Sequence, residues 1–419
     1  MPSASLEIIA AVIFALAIIH VFSVKYFEHL ANRSEKHAGL FHLLGEIEVV
    51  FGIWAMVLIL FMFIISGKNE TVAYMNSRSY VETMFVFVIM VTAATRPILQ
   101  TVILLVKKLS HLLPQKGATG FYFVVMCVVP ILGSIITEPA AMTLAALILS
   151  DKLFSQGISN KLKYMTLGAL FINVSIGGTL TNFAAPPVLM VVGTWDWSTQ
   201  FMFMTFGWKA MIAIFINTNM IILFFYKKLS SMNIKTSVSE EENIPFPIVL
   251  THFIFLFLVI FFGHHPVIFM NIFLLFLGIT YAYQQYQDRL ILREGLLVSF
   301  FLGGLVILGG QQEWWLKDLI ANMSNAEAFV GAITLGAFTD NAAITYLASL
   351  VEGLSDEFKY FLMAGAVTGG GLTVIANAPN PAGVAILKTH FEDNTVDPRY
   401  IFLGALMPTL IAGLCFVIL

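Results

Sequence analysis

The sequence predicts an all-α polytopic membrane protein built from two inverted halves, and three observations carry that prediction. Of 419 residues, 58% are hydrophobic and 11% charged, and the mean hydropathy of +0.87 is far above that of a soluble domain. Apolar windows of about 20 residues, the length a helix needs to cross hydrocarbon, recur along the chain. The stretch Thr137-Glu138-Pro139-Ala140-Ala141-Met142-Thr143 also returns as Thr339-Asp340-Asn341-Ala342-Ala343-Ile344-Thr345, and each copy is followed by a glycine pair and a Leu-Thr.

Taken in order, spanning helices are expected near residues 5–25, 45–66, 81–106, 161–191, 200–226, 246–262, 266–284, 295–310, 357–387 and 399–418. The first of these, apolar from Ile8 to Val24, lacks a basic leader and a small-residue cleavage site, so a retained helix is expected rather than a signal peptide. Two stretches behave differently. Residues 118–151 are apolar throughout but carry Glu138-Pro139 at their middle, and residues 327–352 carry Asp340-Asn341 in the same position. Proline cannot continue the hydrogen-bonding pattern of a helix. A chain that enters, turns at a polar tip and leaves on the same side accounts for both, since irregular backbone is tolerated at membrane depth where protein or a water cavity surrounds it. Re-entrant hairpins are therefore expected.

The spans at 161–191 and 357–387 are interrupted. The first contains Gly177-Gly178-Thr179-Leu180-Thr181-Asn182-Phe183-Ala184-Ala185-Pro186-Pro187, and the second Gly369-Gly370-Gly371-Leu372-Thr373-Val374-Ile375-Ala376-Asn377-Ala378-Pro379-Asn380. Helical hydrogen bonding should lapse at both places, and lapsed carbonyls can bind a cation.

Each half then reads as three spans, a hairpin, a broken span and a further span. That makes an odd number of crossings, so the second half must be inverted. The halves are residues 1–228 and 246–419, joined by a solvated linker at 229–245 that contains Ser239, Glu240, Glu241 and Glu242. Lysine and arginine set the orientation. Lys25, Arg33, Lys36, Lys107, Lys108, Lys116, Lys152, Lys161, Lys163, Lys227, Lys228, Lys235, Arg293 and Arg399 fall on one face, which makes it cytoplasmic. Gly263-His264-His265-Pro266 and residues 311–325 fall on the other, and both termini are expected outside. Inverted repeats with paired broken helices point to a transporter whose site lies between the halves.

Glu138 and Asp340 lead the candidates for chemistry. An ionised acid inside a bilayer costs several kcal/mol unless a partner or a water cavity receives it. A structural hydrogen bond or an interhelical ion pair is one reading. Repetition in one frame favours the other, an acid that holds a sodium ion and a proton in turn. Thr181, Asn182, Thr373, Asn377 and Asn380 add neutral oxygens suited to a hard cation, although the same residue types cap helices and half-helix N-termini attract anions. Arg96, before Pro97, can pair with an acid, snorkel to the interface or meet an anionic substrate. Glu48, Asn173, Asn217 and Asn219 also lie in spans. His20 and His252 read as packing or interfacial residues, and Trp195, Trp197, Trp314 and Trp315 as an aromatic belt.

Several classes are excluded. The net charge of −3 offers no basic surface for nucleic acid. Cys127 and Cys415 sit in apolar runs as small packing residues. The glycine-rich stretches lack the strand and the lysine of a nucleotide-binding loop, and no His/Glu spacing suits zinc. No enzyme and no cofactor is expected, and membrane lipids are the evident partners.

The order of hairpin tip and then Gly-Gly-x-Leu-Thr with Asn and Pro, repeated in the two halves, resembles the ion transporter superfamily. Its members include divalent-anion/sodium symporters, arsenite permeases, citrate carriers and the NhaB and NhaD types of sodium/proton antiporter. Thr339-Asp340-Asn341 and Ile375-Ala376-Asn377-Ala378-Pro379-Asn380 resemble the Asp-Asn and Asn-Ala-Pro-Asn elements of the NhaD and arsenite types. Over nearly its whole length the chain is similar to a bacterial sodium/proton antiporter family of this superfamily. The resemblance implies that tips and broken helices clamp sodium in pairs. Thr137 and Glu138 would face Thr181 and Asn182, while Thr339, Asp340 and Asn341 would face Thr373, Asn377 and Asn380. It also implies a homodimer in the bacterial inner membrane, with a scaffold and a moving transport domain working as an elevator. The carboxylate symporters carry Ser-Asn-Thr at their tips, where this chain has Thr-Glu-Pro and Thr-Asp-Asn; anionic tips should repel a dicarboxylate. Sodium/proton antiport at Glu138 and Asp340 is the expected activity. The alternative is sodium- or proton-coupled symport of a small anion such as a carboxylate, held by Arg96 and the half-helix N-termini.

Overall fold

The computed structural model describes residues 4–34, 36–113, 117–232 and 244–419. The expected linker residues Ser239 to Glu242, with Lys116 and Lys235, lie outside them, as do the side chains of Lys25, Glu48 and Lys107. Every regular element among the described residues is helical.

The first half runs α1 (Ala4–Arg33), α2 (Ala38–Leu44), α3 (Ile47–Asn76), α4 (Val81–Ala93), α5 (Arg96–Leu112), α6 (Thr119–Ile136), α7 (Glu138–Lys152), α8 (Asn160–Gly177), α9 (Pro186–Trp195), α10 (Thr199–Phe224) and α11 (Tyr226–Ser231). The second runs α12 (Phe246–Phe261), α13 (Pro266–Ala282), α14 (Leu292–Gly309), α15 (Glu313–Ala321), α16 (Asn325–Phe338), α17 (Asn341–Ser349), α18 (Asp356–Gly369), α19 (Asn380–Leu387) and α20 (Pro398–Ile418). The closing order is the same in both halves: two helices meeting at a tip, two helices flanking a break, then one long helix.

By length and composition, 5 described helices can cross a membrane: Val49–Asn76, Thr119–Ile136, Thr199–Phe224, Leu292–Gly309 and Pro398–Ile418. The bent pair α4–α5 makes a sixth. The expected ten spans are thus more finely divided than their hydropathy suggests. The stretch 81–106 turns through 63° because Pro97, lacking an N–H, starts a second helix better than it continues the first. Gly67 interrupts α3 by a different route, taking a positive φ of 79° that breaks the helical path. Where hairpins are expected, the chain forms helix pairs split at Thr137 and at Thr339-Asp340, and of these four helices α6 alone has a span's length.

Proline also shapes α6 from within. Pro130 cannot donate to the Met126 carbonyl four residues earlier, and the helix opens into a π turn at Val124–Val128. Buried side chains satisfy that carbonyl instead: Asn173 Nδ2 donates to it at 2.9 Å and Thr218 Oγ1 at 3.2 Å, while Asn217 Nδ2 donates to Asn173 Oδ1 at 3.0 Å. Three of the polar residues noted in the spans, or their neighbours, therefore stitch α8 and α10 to α6. Asn219 is half-buried and bonds within its own helix, Nδ2 donating to the Phe215 carbonyl.

Two groups of helices result. In one, α14 crosses α3 and α4 while α12 and α13 flank α4. Gly304 allows that crossing, since a Cβ there would stand 2.5 Å from the Phe51 carbonyl oxygen. In the other, α6–α10 and α16–α20 interlock. The two broken helices cross at its centre, where Ser175 Oγ donates to the Val367 carbonyl at 2.7 Å and a Cβ on Gly371 would stand 2.5 Å from the Ile172 nitrogen.

His20 accepts from Trp54 Nε1 and lies 2.9 Å from the Leu44 carbonyl, and His252 bridges Ile248 and Gln287. Trp195 and Trp197 differ from the expected belt, because both are buried, Trp195 packing against Trp197 and Trp197 against Phe201 and Phe206. Trp314 is exposed. Cys127 and Cys415 are buried free thiols.

Candidate functional site

The ends of eight helices converge where the tips meet the breaks. In each half, the first residue of the returning tip helix ties its backbone to the break of the same half: Glu138 N donates to the Ala184 carbonyl at 3.3 Å, and Asn341 N to the Ala376 carbonyl at 3.0 Å. A threonine from each break closes the other side. Thr181 Oγ1 donates to the Ser134 carbonyl at 2.8 Å, and Thr373 Oγ1 to the Ala337 carbonyl at 2.7 Å. Ser134, unremarked in the sequence, fastens the first break further by donating to the Gly177 carbonyl at 2.5 Å and accepting from Leu180 N at 3.1 Å.

These bonds reset the correspondence between the repeated motifs. In sequence, Glu138 matches Asp340. In three dimensions Glu138 opens α7 as Asn341 opens α17, and each rests on the second glycine of its break. A Cβ on Gly178 would clash with Glu138 Oε1 and lie 2.7 Å from Cγ, and one on Gly370 would lie 2.5 Å from Asn341 Nδ2. Asp340 is one residue earlier, as the N-cap whose Oδ1 accepts from Ala342 N at 2.8 Å. The reason is the turn: Thr137 caps α7 with φ at 72°, whereas Asp340 caps α17 in an extended conformation. Positive φ is rare for a β-branched residue and marks strain at the tip.

The side chains pair across the halves. Glu138 is fully buried, and Asn377 Nδ2 of the second break donates to its Oε2 at 2.8 Å. Helix α7 packs on α19, and α17 packs on α9, where Thr345 Oγ1 donates to the Pro187 carbonyl at 2.8 Å. Asp340 is close enough to act on Glu138 electrostatically. It lines a cavity of ≈ 20 Å³ with Val298, Phe301, Ile375, Asn377 and Pro381, large enough for one water-sized occupant.

Several buried polar atoms here have no hydrogen-bond partner among the described residues: Thr137 Oγ1, Glu138 Oε1, Asn377 Oδ1, Asn380 Oδ1 and both amide atoms of Asn341. Buried polar atoms are almost always paired, so their concentration at one place is chemically informative. All but one are oxygens, the donor set a hard cation takes. Asn380 is half committed, its Nδ2 donating to the Gly370 and Thr373 carbonyls at 2.8 and 2.9 Å.

The remaining candidates lie elsewhere. Asn182 is tied to the following loop, donating to the Trp197 carbonyl at 3.0 Å and accepting from Thr199 Oγ1 at 2.6 Å. Thr339 bonds back to the Leu335 carbonyl. Arg96 stands 4.0 Å from exposed Asp288. The link between Glu138 and Asn377 had no signal in the sequence, because 239 residues separate them.

No curated protein matches the chain. A family model described as "Putative Na+/H+ antiporter" matches residues 5–419. With that match covering nearly its entire length, and with apolar helices that make it an integral membrane protein, the chain belongs to this sodium/proton antiporter family.

Proposed function

We propose that the protein exchanges sodium ions for protons at the junction of tips and breaks, with Glu138 and Asp340 as the acids that hold them in turn. One observation carries the reading: Glu138 is fully buried, yet its Oε1 has no partner among the described residues while Oε2 is held by Asn377. An uncompensated carboxylate at that depth is costly. Either a proton on Oε1 or a sodium ion bound by Oε1, Thr137 Oγ1 and Asn377 Oδ1 removes the cost, and the two exclude one another. Asp340 lends a second negative charge from its cavity. Asn341, Asn380, Thr373 and the nearby carbonyls complete the coordination, and Thr181 holds the first break in shape. Thr339 and Asn182 belong to this set by sequence but are engaged with their own neighbours, so they serve as supports.

Two carboxylates within electrostatic range would repel an anionic substrate, and Arg96 pairs at the surface with Asp288. Antiport is therefore preferred to anion symport. The matched order of elements supports an inverted repeat with re-entrant tips. The two groups of helices support an elevator in which tips and breaks slide against α3, α4 and α12–α14. A homodimer in the bacterial inner membrane, with both termini outside, completes the proposal.

Proteoliposomes with a pH-sensitive dye test it. Sodium added to wild type should release protons, with lithium, potassium and choline as comparisons, and Glu138→Gln and Asp340→Asn should each abolish the response. A folded wild type that answers no cation would sink the reading.

A further inference from the structure

The two halves carry matching clefts beside their breaks. The first is lined by Asn182, Phe183 and Leu189, and the second by Val374, Ile375 and Pro381, which stand 192 residues further along in each case. The facing wall matches too. Glu82 and Phe85 of α4 line the first, and Val298 and Phe301 of α14, each 216 residues on, line the second. The same shift relates Thr83 to Ser299, and these meet where α4 and α14 cross, Ser299 Oγ donating to the Thr83 carbonyl at 3.1 Å.

Each cleft thus has one lining carboxylate, reached by a different route. Asp340 enters the second from its tip. The first tip acid, Glu138, turns away towards Asn377, and the charge in the first cleft is Glu82. Packing does not require it, because valine fills the equivalent place on α14. Ser79 Oγ donates to Glu82 Oε2 at 2.8 Å, and Oε1 faces Gly193 of α9, where a Cβ would come within 3.2 Å. No ion pair involves Glu82 among the described residues, and neighbouring Arg78 is turned to Ser77 and the Tyr74 ring. The first cleft is also the roomier, ≈ 190 Å³ against ≈ 20 Å³, and it is bordered by Gly263, His264 and Thr199.

We propose that Glu82 is a cation-recruiting residue at the mouth of this cleft, receiving a partly hydrated monovalent cation before it passes to the first break. The choice of sodium rests on the antiport reading. A single negative charge between low-dielectric walls raises the local cation concentration tenfold or more, and added salt screens the effect.

The test is radiosodium exchange in proteoliposomes of known orientation, which needs no proton transfer. With Glu82→Gln, the half-saturating sodium concentration should rise about five- to tenfold when sodium is added on the face bearing residues 195–199 and 263–265, and change less than about twofold from the opposite face. Glu82→Asp should stay within about twofold of wild type. Wild type supplies an independent reading: choline chloride should raise half-saturation more on the cleft face than on the other. A folded Glu82→Gln with unchanged half-saturation, an equal rise on both faces, equal salt sensitivity of the two faces in wild type, or no exchange in wild type overturns the proposal. Glu82-dependent exchange without sodium-driven proton release would leave it standing and remove antiport alone.

Discussion

At the scale of single residues, the site depends on glycines that yield space to polar side chains. Gly178 and Gly370 hold equivalent places in the two breaks, and a methyl group at either would enter the volume of Glu138 or Asn341. Their backbones are fixed by neighbouring bonds, so the intruded side chain must move. Gly178→Ala should fold with a loss of about 1–3 kcal/mol and lose sodium-driven proton release, read by thermal unfolding in detergent and by the dye assay. Gly278→Ala, where a Cβ meets nothing within 4 Å, is the matched control and should change neither. Normal transport in Gly178→Ala would mean that the position of the Glu138 carboxylate is not critical. The sequence displayed Glu138, Asp340, Asn377 and the glycine pairs plainly. Their partners were hidden: Glu138 aligns with Asp340 by identity of neighbours, yet a left-handed Thr137 in one tip and an extended Asp340 in the other shift the geometry by one residue. Nothing in a string of letters distinguishes those two turns.

At the scale of elements, proline at one helix creates a need that another helix fills. Pro130 frees the Met126 carbonyl, and Asn173 and Thr218 occupy it from α8 and α10. Leaving a buried carbonyl unpaired costs about 1–3 kcal/mol. Because Thr218 Oγ1 also holds that carbonyl, it is Asn173→Ala combined with Thr218→Ala that should destabilise the protein by about that amount, measured as a shift of the unfolding midpoint in detergent. Pro130→Ala restores the missing N–H and should shrink the penalty of removing both side-chain donors, a coupling that a double-mutant cycle reads directly. Additive effects would show that the carbonyl has another partner. Asn173 stands out in the sequence as a polar residue in an apolar run, whereas Pro130 carries no such signal among the prolines of the chain. What the sequence could not supply was the register that faces one with the other, because helix packing settles it. The bend at Pro97 was legible in principle, since proline opens helices more readily than it continues them, but the apolar runs on both sides of Arg96-Pro97 read as one span.

For the whole molecule, the two clefts are the informative comparison. Five lining residues of one correspond to five of the other, yet one cleft is several times larger. Under the proposed alternating access, clefts of unequal size would correspond to one end of the cycle and trade volumes at the other. The larger cleft separates α4, in the group with α3 and α12–α14, from α9, in the group with tips and breaks. If transport slides the second group past the first, bridging that cleft must stop it. Phe85→Cys with Leu189→Cys places a thiol on each wall of the cleft. A short bis-maleimide should link them and abolish radiosodium exchange, while either single cysteine treated alike keeps its activity. Reaction with a monofunctional maleimide of similar bulk separates tethering from simple obstruction, and should inhibit far less. Exchange that persists in fully linked protein would mean the two groups do not separate during transport, and the ions would then have to cross by motions confined to the tips.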